Sequence, residues 1–265
     1  MYRTLAILVA TFWVLQAVTA VIYVHYGYEH EKGIRTFFMK IPASATYLLY
    51  AVGLYLFFGT RGPHSTQMVW AMGFGFLGDM LFGWNAMLPR EPIGKEKVKK
   101  AVIVSLAVCC FGLQMVFATL AFVSGMADYN IPLTNWFWLI VFLPLIPATA
   151  LNYVLNLGIW RFIFQHPLYI VPLGLFSALF LGAFASGLYF GINILTLDPI
   201  GGFSALFGTL FYMFSLFIFG IRATNNPVFK NRNIWAVGCC FYYLAQIALS
   251  GALLALGGWG HILLK

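Results

Sequence analysis

Eight apolar runs divide the chain, at approximately 3–25, 38–59, 67–89, 100–125, 134–159, 167–193, 201–221 and 233–257. Each is long enough for an α-helix to cross a hydrocarbon core of about 30 Å, which takes about 20 residues at 1.5 Å per residue. The runs lack the polar alternation of barrel strands, and backbone in lipid must satisfy its own hydrogen bonds, so helices are the expected element. The longest polar connections, around 26–37 and 89–99, are too short for a soluble domain. The pattern predicts an all-α integral membrane protein, a bundle of eight transmembrane helices forming one domain over residues 1–265. Small residues mark expected helix seams, at Gly73, Gly75 and Gly78 in the third run and at Gly182, Ala185, Ser186 and Gly187 in the sixth. Pro144, Pro147 and Pro172 should kink the fifth and sixth helices.

Arg3 and the "AVTA" near the end of the first run suggest a secretory signal. The apolar stretch is longer than a signal core of about 7–15 residues, so it reads as a retained span.

Composition agrees, with 62% hydrophobic and 8% charged residues, against about 25% charged in ordinary globular domains. Charge adds an orientation. With eight crossings, 12 of the 15 Lys and Arg residues fall on one side, leaving Arg3, Arg61 and Lys265 on the other. Basic loops stay cytoplasmic, which places both termini outside the cytoplasm. The net charge of +8 is thus a topological signal and not a nucleic-acid footprint. Within it, Lys95, Lys97, Lys99 and Lys100 form the densest cluster, suited to anionic lipid headgroups. The pairs Cys109–Cys110 and Cys239–Cys240 lack metal-ligand spacing and read as small buried hydrophobes. All five histidines fall at run ends or in loops, so no metal or other cofactor is expected.

Against this background Asp79, in "FLGDMLFGW", stands out. Counted from residue 67 it lies near the bilayer midplane, where an acid costs about 2.5–3.5 kcal/mol on insertion scales and must face protein or a wet cavity. An acid held there is a candidate proton donor. Gln114, Asn152, Asn156, Ser215, Tyr242, Tyr243 and Gln246 also sit at depth and could join one polar patch around it. Their alternative is interhelical glue, worth about 0.6 kcal/mol per contact. Lys40 is the available counter-charge, but run boundaries separate it from Asp79 by about 15 Å in depth. Direct pairing is therefore not expected; a water link, or a separate role for Lys40 at a headgroup phosphate, is. The other six acids fall in predicted loops, leaving Asp79 as the only buried one.

Three segments carry a further signal: "MKIPASATYLL" with Lys40 and Pro42, "GFLGDMLFG" with Gly78 and Asp79, and "FYYLAQIAL" with Tyr242, Tyr243, Leu244, Ala245 and Gln246. In order and spacing they resemble the YhhN-like lysoplasmalogenase family of eight-span membrane proteins, loosely from Lys40 to Leu249. Two positions depart from the family pattern. Gln114 stands where a histidine is usual, and Leu216, after Ser215, stands where a second carboxylate is usual. The resemblance implies hydrolysis of the vinyl ether bond of a lysophospholipid, releasing an aldehyde. Asp79 would be the general acid and possible base, Gln114, Tyr243 and Gln246 would orient water or substrate, and Lys40 would hold the phosphate. Ser215, Asn152 and Asn156 complete the substrate-facing set, and no cofactor is implied. Two other readings remain open: a non-catalytic protein binding a lipid or other amphiphile, and a proton-coupled carrier titrating at Asp79.

Overall fold

The computed structural model describes residues 2–29, 34–57, 62–88, 93–142, 145–146, 170–223 and 231–257. Among these the protein is all-helical, with α1 (Tyr2–Glu29), α2 (Ile34–Phe57), α3 (Pro63–Ala86), α4 (Lys95–Asp128), α5 (Asn135–Phe142), α6 (Ile170–Ile194), α7 (Pro199–Ala223), α8 (Arg232–Gly251) and the short α9 (Leu253–Leu256). Six stretches are long and apolar enough to cross a membrane: Thr4–Tyr26, Ile34–Phe57, Lys95–Asp128, Gly174–Ile194, Pro199–Phe219 and Arg232–Leu256. The third run is a helix of 24 residues, more polar than these because it opens on His64, Ser65, Thr66 and Gln67 and carries Asp79, Asn85 and several glycines further along. The fifth is described only over Asn135–Phe142 as α5, so Pro144 and Pro147 lie outside the described residues.

Local chemistry explains the helix ends that shape the centre. Pro63 starts α3, where its missing N–H costs nothing. Asn231 caps α8, its side chain accepting from the Asn233 N–H at 2.6 Å. Pro42 lies inside α2, where its ring removes one backbone donor. Next to it the buried Gln16 of α1 donates from Nε2 to the Ala43 carbonyl at 2.9 Å, tying α1 to α2 beside the proline.

The hub is α8. In the apolar core of the span that includes α8, 83% of the residues are buried, against 17% in that of the first span; α8 packs on α1, α2, α3 and α7. Glycines let the backbones meet. A Cβ at Gly208 would fall 2.8 Å from the Leu249 nitrogen of α8, and one at Gly202 would fall 2.8 Å from the Leu195 Cα beyond α6. Of the expected seams, Gly75, Gly78 and Gly187 sit against Gln114, Phe111 and Phe122, whereas Gly73 has no neighbour where its Cβ would be.

Two expectations need correcting. Asp198 does lie in the connection before α7, but it is 1% exposed, so Asp79 is not the only buried acid. It caps α7, its Oδ1 accepting from the Gly201 N–H at 2.9 Å, and backbone bonds to the Ile194 carbonyl close the turn that holds it there. Burial pushes its carboxyl up, while the Gly201 and Ile200 N–H groups pull it down. Of the cysteines, Cys239 is buried as expected, whereas Cys109 is exposed because it lies on the outer face of α4.

Candidate functional site

Asp79 comes from α3 and is 1% exposed. Its two oxygens are bound differently. Oδ1 lies 3.0 Å from the Lys40 ammonium. Oδ2 accepts from the Ser44 hydroxyl at 2.8 Å, from Tyr47 at 3.0 Å and from Tyr242 at 3.0 Å. Lys40, Ser44 and Tyr47 are spaced i, i+4, i+7 along α2, so one face of one helix presents three of the four donors. Tyr242 comes from α8. Tyr243 follows it, with its hydroxyl 3.5 Å from Ser44 Oγ and its ring edge-on to Tyr23 at 5.7 Å.

The depth argument against a direct Lys40–Asp79 pair is thus overturned, and the helix boundaries explain why. α2 already runs from Ile34, which puts Lys40 nearly two turns inside it, and α3 ends at Ala86, seven residues after Asp79. At 1.5 Å per residue both groups lie about 10 Å from those helix ends, so their depths match. By the same shift Asp79 sits beyond the middle of α3, towards its C-terminal end, and not at its centre.

A second polar group lies deeper. Gln114 of α4 donates from Nε2 to Gln246 Oε1 of α8 at 2.8 Å, and the Tyr212 hydroxyl of α7 donates to Gln114 Oε1 at 3.3 Å. Gln246 Nε2 is buried without a hydrogen-bond partner. Ser215 donates to the Tyr212 carbonyl of its own helix at 2.8 Å. The Tyr212 and Tyr242 rings, 6.2 Å apart, connect the two groups. The single patch expected around Asp79 is therefore two adjoining patches, with Tyr242 and Tyr243 in one and Gln114, Gln246 and Ser215 in the other. Asn152 and Asn156 lie outside the described residues.

A cavity of about 570 Å³ reaches Asp79, within the usual range of about 300–1,000 Å³ for small-molecule sites. Its polar lining includes Thr36, Lys40, Asp79, Tyr242 and Tyr243, and its apolar lining includes Val108, Phe111, Phe176, Leu216 and Phe219. It extends along α3 past Gly83 to Ala86 and along α8 to Trp235, towards the end where α4 begins with exposed Lys95, Lys97 and Lys99. Leu216 faces the same space as Asp79.

Ser44, Tyr47 and Tyr212 were not among the expected site residues. For the first two a signal existed, the polar positions at i, i+4 and i+7 beginning at Lys40. For Tyr212 nothing distinguished it from the other aromatics of its run. Chemically, every group on Asp79 is a donor, so the carboxyl works as an acceptor held by four donors from two helices. The Lys40 ammonium also lies 5.8 Å from the Phe82 ring centre, a cation–π distance.

No protein-family model, curated protein or solved structure matches the chain.

Proposed function

We propose that the chain is a membrane-embedded hydrolase of the lysoplasmalogenase type, cleaving the vinyl ether bond of a lysophospholipid at the Asp79–Lys40 pair. The observation that carries this reading is the pair itself, which lines a largely apolar cavity while the hydroxyls of Ser44, Tyr47 and Tyr242 hold the carboxylate. An amphiphile suits both sides: a hydrocarbon chain for the aromatic wall and a polar linkage for the pair.

Vinyl ether hydrolysis protonates the carbon remote from oxygen, passes through an oxocarbenium ion, adds water, and ends when the hemiacetal collapses to aldehyde and glycerol hydroxyl. In this mechanism the pair shares one mobile proton. Its delivery to carbon leaves an ionised Asp79 beside a neutral amine; the carboxylate stabilises the cation, and the pair recovers a proton from the attacking water. One carboxylate coupled to one lysine thereby covers both roles, although Leu216 fills the position of the second family acid. Tyr47, Ser44 and Tyr242 hold the carboxylate in place.

The purified full chain should release fatty aldehyde from lysoplasmenylcholine, and Asp79→Asn should lower that rate at least about 100-fold, the scale of a lost acid–base group. Aldehyde no higher than in a protein-free blank would sink the enzyme reading. Leu216 on the cavity wall favours a second reading, a non-catalytic amphiphile-binding protein, which would retain lipid without turning it over. The same proposal takes the bundle to cross the membrane eight times, with both termini outside the cytoplasm and the basic end of the cavity inside it.

A further inference from the structure

We infer that the part of the ligand received beside Asp79 and Lys40 is uncharged, the ether and free hydroxyl of a glycerol backbone, and that its phosphate stays outside at the basic mouth. This rests on the amphiphile reading above and gives Lys40 a different task from the phosphate contact expected of it.

Three observations lead there. Among the described residues lining the cavity, Lys40 and Asp79 are the only charged side chains, and at 3.0 Å they neutralise each other. A phosphate brought to Lys40 would meet Asp79 at close range and leave net negative charge buried, which low-dielectric surroundings penalise heavily. A hydroxyl or ether brings no charge and is matched by what is present. The Tyr243 hydroxyl has its contact with Ser44 at 3.5 Å, well beyond the usual O–H···O distance of about 2.7–2.8 Å, and so has capacity for a ligand oxygen.

Lys40 is also held where it is. Gly83 lies one turn from Asp79 on the same face of α3, and a Cβ there would sit 2.8 Å from Phe37 Cδ2 and 3.7 Å from Lys40 Cδ. The lysine stem therefore runs close along a residue without a side chain, with its ammonium near the Phe82 ring. This aims the charge inward, at Asp79, and away from the mouth.

The mouth has its own cations. Arg232 precedes the cavity residue Trp235 by one helical turn, and its Nη2 donates to the His25 carbonyl at 3.3 Å. Arg35 adjoins the cavity residue Thr36 and is exposed. A phosphate at that level keeps water and gains positive neighbours, while the glycerol reaches the pair.

The test measures binding of two non-cleavable ligands, a long-chain alkyl glycerol ether and the same ether carrying a phosphate, to the full chain in detergent by native mass spectrometry. The quantity read is the preference for phosphate over neutral ligand. It should be the same within about twofold in wild type and in the charge-neutral double variant Lys40→Met/Asp79→Asn, while both ligands weaken in the double variant by about tenfold through lost hydrogen bonds. In Asp79→Asn alone, which uncovers the lysine charge, the preference should rise at least about tenfold.

A wild-type phosphate preference that disappears in the double variant would overturn the inference and leave the amphiphile reading standing. Should the double variant bind neither ligand, Asp79→Asn decides, and an unchanged preference there overturns the inference. Wild type binding neither ligand would remove the amphiphile reading and this inference together.

Discussion

Asp79 is stable at its depth because four donors from two other helices meet it there. Each hydroxyl removed leaves a buried acceptor partly unsatisfied, and hydrogen bonds to charged groups contribute about 1.5–3 kcal/mol. Tyr47 is fully buried and Phe matches its shape, so Tyr47→Phe should cost within that range, read as a lower melting temperature in detergent without loss of helix content. A variant as stable as wild type would show that the Tyr47 bond to Asp79 carries no weight. Asp79, Lys40, Tyr242 and Tyr243 were legible as polar side chains in apolar runs. Ser44 and Tyr47 were less so, because serine and tyrosine occur in membrane helices without special duty, and only the facing of α2 towards α3 gives them one.

At the scale of elements, small boundary shifts had large consequences. Starting α2 at Ile34 and ending α3 at Ala86 brought Lys40 level with Asp79, where run boundaries drawn by hydropathy held them about 15 Å apart. Hydropathy misplaces such ends because polar first turns, such as His64 to Gln67 after Pro63, are still helix. The start of α7 carries a pH prediction. Asp198 has its carboxyl raised chiefly by burial, so the folded state binds a proton more tightly than the unfolded chain. Its contribution to stability therefore falls as pH rises above the unfolded value of about 3.9. Asp198→Asn keeps an acceptor for the Gly201 N–H and has no charge to bury. It should melt higher than wild type at neutral pH, with the difference closing below about pH 4. A variant that melts lower at neutral pH would show that the carboxylate serves α7 better than it is penalised.

For the whole molecule, the arrangement around α8 sets both the site and its direction. α1, α2, α3 and α7 all pack on this buried helix, and the cavity lies at the end of the bundle where α4 starts with its lysines. With that end in the cytoplasm, a fluorescent protein that matures only in the cytoplasm should stay dark when fused to the C-terminus and glow when inserted before Lys95. Bright C-terminal fusions would reverse the proposed orientation. The sequence by itself determined that the protein is helical and membrane-embedded, because apolar runs of this length leave the backbone no other way to satisfy its hydrogen bonds. It also singled out Asp79, because a carboxyl in such a run is costly enough to be conspicuous. Which groups answer it was decided only by tertiary structure. Pairing between Lys40 and Asp79, the convergence of Ser44, Tyr47 and Tyr242 on one oxygen, and the separation of Gln114 and Gln246 into their own patch depend on the rotation and axial offset of packed helices. Those are fixed by side-chain fit across the seams, and a one-dimensional pattern does not encode them locally.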